Sequence, residues 1–305
     1  MQKTDLELLA KIAGLHSIPE GSFNIRKNGK RLASASDADI EIVPKTDKEG
    51  IDIYVRPGVK GKSAHIPVLL TEAGLHDSVY NDFHIGEGAD VTIIAGCGIH
   101  CPGTGEAEHD GIHTFRLERG AHVRYIERHY AEGGKAARKV FNPVTRCFLG
   151  EDSVLEIESV QLGGVTFTER TTDAVVGAGA RLEVKEKLLT AENEEAISRF
   201  SVRLEGSGST CDIVSRSVAR DSSRQEFLSD VVGAAECFGH VACDAIILDS
   251  ARVVSTPRID AVHPDASLVH EAAVGKIAGE QLVKLMSLGL DEKQAEDAVI
   301  KGYLN

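Results

Sequence analysis

The sequence predicts a mainly β chain built of stacked coils, with a helical segment at each end. Three observations predict it. A short turn-and-strand phrase recurs at near-constant spacing, the segments between its copies are again β-branched and alternating, and helical periodicity is confined to the two termini.

The phrase begins GADVTI at Gly88, GAHVRYI at Gly120, DSVLEI at Asp152, GARLEV at Gly179 and GSTCDI at Gly208, at intervals of 32, 32, 27 and 29 residues. A small residue follows each start (Ala89, Ala121, Ser153, Ala180, Ser209). Two positions on stand Val91, Val123, Leu155, Leu182 and Cys211, and two further Ile93, Tyr125, Ile157, Val184 and Ile213. A turn residue followed by period-two alternation describes a strand with one buried face. Strands without intervening helices argue against a doubly wound fold. Stacked β-helical coils would bury these positions in one column, and a β-sandwich is the competing arrangement.

The elements follow in order. TDLELLAKIAG has Thr4 and Glu7 in capping-box spacing, which predicts a helix over about 4–14. Residues 1–85 read as this helix plus a mixed, β-rich region, and residues 86–278 as the stacked core. Residues 279–305 read as a helical hairpin: Leu282, Leu285, Met286 and Leu288 lie along one helix, and Asp291 caps a second with Ala295, Ala298 and Val299 inward. Such a hairpin either closes the core's open end or offers a docking surface.

Composition narrows the function. A net charge of −13 argues against a nucleic-acid partner, and no apolar stretch reaches the length of a membrane span. The N-terminal stretch lacks a secretory apolar core, so the expected location is cytoplasmic. Six cysteines in 305 residues are too sparse for a disulfide framework; Cys147 and Cys211 read as small buried hydrophobes. GVKGKS at 58–63 imitates a phosphate loop, but the motif would need glycine at Arg56, so no nucleotide is expected on this chain.

Two constellations remain. In GCGIHC, Cys97, His100 and Cys101 converge on one metal if the glycines fold the backbone tightly, with His109 and His113 close behind; otherwise this is a glycine-rich turn. In HVACDAIILD, His240, Cys243 and Asp244 precede an apolar run, and one coil later come His270 and Glu271. Cys243, His270 and Glu271 could hold iron, or form a cysteine–histidine nucleophile pair oriented by an acid. Asp244 reads better as an outward carboxylate.

The C-terminal third then resembles a known family. Cys243–Asp244 with its apolar strand, Thr256–Pro257, HEAAVGKI from His270 to Ile277, EQLVKLMSLGL and the closing IKGYL are similar, in order, to the signature of the SufB/SufD scaffolds of iron–sulfur assembly. GCGIHC and HDGIHTFRLERGAHVRYIERHY resemble the family's earlier core, so the likeness covers about residues 85–304. It implies a right-handed parallel β-helix with helical ends, a non-enzymatic scaffold that builds a transient iron–sulfur cluster at a subunit interface, and gating by a separate SufC-type ABC ATPase. Residue by residue, it implies that Cys243 and Glu271 act in nascent cluster formation and that His270 matches a histidine of the SufD interface. Cys97, Cys101, His100 and Cys237 become candidate sulfur-relay or additional ligand positions. Leu282, Leu285, Met286 and Leu288 become the ATPase-docking face. The implied partners are a homodimeric copy or a SufB/SufD-type chain, and a sulfur donor protein. A SufD-like structural partner without its own cluster is the alternative.

Overall fold

The computed structural model describes residues 2–304. Two long sheets face each other, and the chain alternates between them. In chain order the first sheet uses Ser22–Lys27, Lys60–Leu70, Asp90–Cys101, His122–Gly133, Val154–Leu162, Arg181–Thr190, Ser209–Ala219, Cys237–Ile247 and Ala266–Gly275, with Lys30–Ala35 on its edge. The second runs from Ile40–Pro44 and Gly50–Val55 through Leu75–Ile85 and Gly105–Leu117 to Phe167–Val176, Glu195–Leu204, Arg224–Gly233 and Arg252–Ala261. Between Gly105–Leu117 and Phe167–Val176 it carries one strand in two pieces, Ala137–Phe141 and Val144–Leu149. Apart from the two N-terminal hairpins every pairing is parallel, so this is a β-solenoid and not a sandwich.

The recurring phrase marks the entry to each coil's first-sheet strand. Gly88, Gly120, Asp152, Gly179 and Gly208 all have φ between 56° and 72°, the left-handed region that glycine enters freely and aspartate tolerates. The small residue after each is 0% exposed, packed where the coil turns inward. The alternating apolar residues behind them form one core running the length of the solenoid. Parallel stacking begins with Ser22–Lys27 on Lys60–Leu70 and continues onto Asp90–Cys101, so the sheets run without a break across residue 86.

The N-terminal helix spans Lys3–Ala13, but its start differs from the expected Thr4/Glu7 box: the Asp5 carboxylate accepts the Gln2 N–H at 2.8 Å and also pairs with Lys27 at 2.7 Å. The helix buries Leu8, Leu9 and Ile12 against the outer face of the first sheet. The C-terminal hairpin comprises Gly279–Ser287 and Glu292–Leu304. Its second helix packs Ile300, Tyr303 and Leu304 on Val218, Leu189 and Ile246 of that outer face. Ala295 is buried as expected; Ala298 is exposed and Val299 only half-buried, because Ile300 and Leu304 make the sheet contact instead. GVKGKS leads into the strand Lys60–Leu70 and not into a helix, so it lacks the helix N-terminus of a phosphate loop.

Candidate functional site

The interior of the solenoid is not apolar throughout. In a parallel stack, residues in register on neighbouring coils point the same way, so inward positions form ladders about 4.8 Å apart. One ladder reads Ala95, Glu127, Ser159, Glu186, Ser215, Cys243, Ala272. Beside it runs Cys97, His129, Gln161, Leu188, Ser217, Ala245. Glu127, His129, Glu186 and Ser215 are all at most 4% exposed.

Side chains link these ladders into a continuous column. At one end Arg26 lies 3.2 Å from Asp77, and Asp77 lies 3.3 Å from His109. His109 and His129 both hydrogen-bond the Cys97 thiol. His129 Nε2 is 3.4 Å from Glu127, and Glu127 binds Arg170 in a short ion pair. Arg170 Nε reaches to 3.8 Å from Glu186, whose carboxylate accepts the hydroxyls of Ser198 at 2.6 Å and Ser215 at 2.7 Å. Ser215 is in register with Cys243. Tyr125 donates to Glu127 at 3.0 Å and stands 2.6 Å from His113 Nδ1, while Asn81 donates to His113 Nε2. That pattern requires a neutral His113, and burial pushes its pKa down to about 4.

The cysteines along this interior are not alike. Burial alone would raise the Cys97 thiol, but the charge and hydrogen bond of His109, then those of His129, outweigh it and bring Cys97 down to about 7. Burial pushes Cys211 up to about 12 and Cys147 beyond the usual thiol range; both sit in the apolar core, as their sequence setting suggested. Cys101 is fully buried in a second apolar cluster with Ile99 and Phe141. Cys237 is buried at the far end of the strand that carries Cys243, about 20 Å from it at strand rise.

Cys243 itself is 1% exposed and faces inward, one coil beneath the open end. Burial raises its pKa and the charges of Glu186 and Asp244 add to this; only the Ser255 hydroxyl opposes them. The thiol is therefore protonated at neutral pH. His270, in register with Val241, shares the inner face, and its buried Nε2 has no hydrogen-bond partner. The Ser255 hydroxyl, which faces the Cys243 thiol, has no other hydrogen-bond partner. Glu271 points the other way: in register with Ala242, it lies on the outer face, 3.7 Å from His240 Nε2. Asp212 accepts His240 Nδ1–H at 2.7 Å, an acid–imidazole–acid row outside the sheet. The predicted Cys243–His270–Glu271 grouping is thus divided by the sheet, with Cys243 and His270 inside and Glu271 joined to His240 outside. Asp244 is outward, near Tyr303.

GCGIHC does not fold into a metal-binding turn. It is straight strand: Cys97, Ile99 and Cys101 point inward, and His100 points outward to Glu132 at 3.2 Å. Its glycines face the N-terminal helix. A Cβ on Gly96 would stand 2.6 Å from the Ile12 carbonyl oxygen, and one on Gly98 3.3 Å from Leu8. His109 comes to Cys97 from the opposite sheet, whereas His113 does not join it.

At the open end, Arg252–Ala261 and Ala266–Gly275 close their sheets with a free edge. Ile259 and Val274 continue inward ladders through Val231 and Ala245, yet are 44% and 43% exposed because no further coil covers them. On the C-terminal hairpin, Leu282 and Leu285 are half-buried, while Val283, Met286 and Leu288 stand exposed.

Residues 75–303 match the family model described as SUF system FeS cluster assembly, SufBD core domain. The chain belongs to the SufBD family. Among its relatives are three proteins named as iron–sulfur cluster assembly SufBD family members. That of Methanothermobacter thermautotrophicus is 30% identical over 72% of this chain and 53% of its own length. That of Archaeoglobus fulgidus is 27% identical over 87% and 71%. One of Pyrococcus horikoshii is 25% identical over 96% and 84%. This SufBD chain therefore spans about half the length of its Methanothermobacter relatives. Among its described residues no helix is long and apolar enough to cross a membrane.

Proposed function

We propose that this SufBD chain is a non-enzymatic scaffold on which an iron–sulfur cluster is built at the open end of the solenoid, with Cys243 as the anchoring thiolate. The observation that carries this reading is the buried polar column between Cys97 and Cys243. Ion pairs inside a core stabilise a fold less than apolar packing of the same volume. A solenoid that keeps Glu127, Arg170 and Glu186 inside five coil steps, roughly 24 Å, has a use for them beyond folding.

Each residue receives a role. Cys97, a thiolate near neutrality, takes a sulfane sulfur from a donor persulfide by exchange and releases the donor's thiolate. The column leads from there to Cys243, where the sulfane sulfur would enter the cluster as sulfide once an external reductant supplies two electrons. Cys243 and His270 offer sulfur and imidazole from the inner face, a weaker set than four thiolates, from which a finished cluster can leave. Glu271 and His240 offer iron an oxygen and a nitrogen on the outer face. Cys101 and Cys237 are packing residues in this reading, and His100 serves Glu132.

The exposed Ile259 and Val274 and the free strand edges fit a second SufBD-type chain, in the simplest case another copy of this one. The apolar Val283, Met286 and Leu288 fit an ABC-type ATPase, which would supply the nucleotide and open the interface. The cell interior is the expected setting. A cysteine-dependent enzyme using Cys243 and His270 is the weaker reading, because Cys243 has a raised pKa and no imidazole activates it.

Anaerobic reconstitution tests the proposal. With ferrous iron and inorganic sulfide, wild type and Cys97→Ser should both gain cluster absorption, and Cys243→Ser should not. With a persulfide donor and an added two-electron reductant in place of sulfide, wild type should still gain the cluster and Cys97→Ser should fail. If wild type takes up neither iron nor sulfide, the scaffold reading falls and the chain is a structural partner only.

A further inference from the structure

We propose that His76, Glu108 and Asp110 form an exchangeable binding site for a divalent first-row transition metal on the outer face of the second sheet. The strands Leu75–Ile85 and Gly105–Leu117 stack in register, with His76 opposite Glu108 and Ser78 opposite Asp110. One ligand atom from each of the three lies within 4.8 Å of the others. His76 Nε2 is 2.7 Å from Asp110 Oδ2 and 3.9 Å from Glu108 Oε1.

The charge of this group points to a cation. Both carboxylates are about four-fifths covered, and among the described residues neither has a lysine or arginine within 4.0 Å. The nearby Arg138 is engaged by Glu106 at 2.6 Å. Two covered carboxylates held side by side without a permanent counter-charge repel each other, and a divalent ion removes that repulsion.

The acids are also held in place. Asn142 donates to Glu108 Oε1 at 2.8 Å and to Asp110 Oδ1 at 3.0 Å, and Ser78 donates to Asp110 Oδ2 at 3.0 Å. Such outer hydrogen bonds orient metal ligands. One imidazole and two carboxylates, with no thiolate, suit Mn²⁺, Fe²⁺ or Zn²⁺ and not a soft cation such as Cu⁺. Three ligands leave positions for water, and His76 is more than half exposed, so the ion exchanges freely. The site stands apart from the interior column, because Asp77 and His109 on the same two strands point inward.

Manganese is the useful probe, since it favours oxygen and nitrogen over the thiols of Cys97 and Cys243. Mn²⁺ binding would be followed by electron paramagnetic resonance on wild type, His76→Ala, Asn142→Ala and the double variant Glu108→Gln/Asp110→Asn. Wild type should show one saturable site that the double variant lacks. His76→Ala should weaken it roughly tenfold or more, and Asn142→Ala about 10- to 100-fold. Affinity should fall on acidification as protons compete for His76. A wild-type protein that binds no Mn²⁺, or a double variant whose isotherm overlays wild type, overturns the assignment. Neither outcome bears on cluster assembly at Cys243.

Discussion

Arg170→Met is the most informative single change to the interior. The Arg170 guanidinium joins two buried carboxylates: it pairs with Glu127 and reaches to 3.8 Å from Glu186. Methionine keeps much of the volume and removes the charge, leaving Glu127 with Tyr125 and His129, and Glu186 with two hydroxyls. Breaking a buried pair from one side costs about 3–5 kcal/mol. For a chain of 305 residues, with about 2.1 cal/mol/K of unfolding entropy per residue, that is a fall of roughly 5–8 °C in the thermal midpoint. The pH dependence carries a sign. Burial would raise the Glu127 pKa, but Arg170 and then His129 hold it well below the ordinary glutamate range. A depressed pKa gives stability that is present above the unfolded value, about 4.3, and is lost as pH falls through the folded value. Without Arg170 that contribution shrinks, so the gap between wild type and variant should be widest near neutrality and close on acidification. Thermal unfolding from pH 7 down to about pH 2.5 spans that window and measures it. A midpoint within about 2 °C of wild type at pH 7, roughly 1 kcal/mol, would mean that the column is hydrated and its charges are not coupled as the geometry requires.

Three further outcomes are expected. Gly96→Val drives a side chain into the Ile12 carbonyl, so the N-terminal helix should lift, with a loss of about 1–3 kcal/mol and tryptic cleavage at Lys11; an uncleaved variant would contradict the contact. Thiolate ultraviolet absorption should titrate with a midpoint of about 7, vanish in Cys97→Ser and move upward in His109→Gln; no titration below the ordinary value of about 8.5 would remove the activated thiol. Ile259→Glu/Val274→Glu should leave the fold within about 0.5 kcal/mol and abolish self-association in sedimentation; a monomeric wild type would refute a second copy at the open end.

The solenoid was legible because its grammar is local. A left-handed turn residue, a small residue and period-two apolar positions are each visible in a single strand, and Gly88, Gly120, Asp152, Gly179 and Gly208 carry that signal without any knowledge of pairing. The polar column was missed for the complementary reason. Charged residues are read as solvent-facing, so the inward run was stopped at Val123 and Tyr125, although the same parity continues to Glu127 and His129. Likewise Leu182 and Val184 lead to Glu186. Following the parity past the first charged residue would have found them. GCGIHC misled in a related way: its glycines suggested a tight turn, but they make room for a helix nearly a hundred residues earlier in the chain, a contact that strand parity cannot reveal.

Parity also decides how much one chain can do at the open end. Cys243 and Glu271 belong to neighbouring coils, and their spacing in sequence suggests a shared site, yet register sends one inward and the other outward. A one-residue offset on a strand is a change of face, and no side-chain rotation brings both onto one iron through an intact sheet. What lies on the inner face above Cys243 is Ala272, with the unpartnered His270 Nε2 and the Ser255 hydroxyl nearby. That is room and polarity, but too few ligands to hold a cluster. On the proposed reading, any ligand that completes the set arrives past the free edges, where Ile259 and Val274 already lack a cover. The open end is incomplete in its packing and in its ligands for the same geometric reason, and a second chain that stacks one more coil there would answer both.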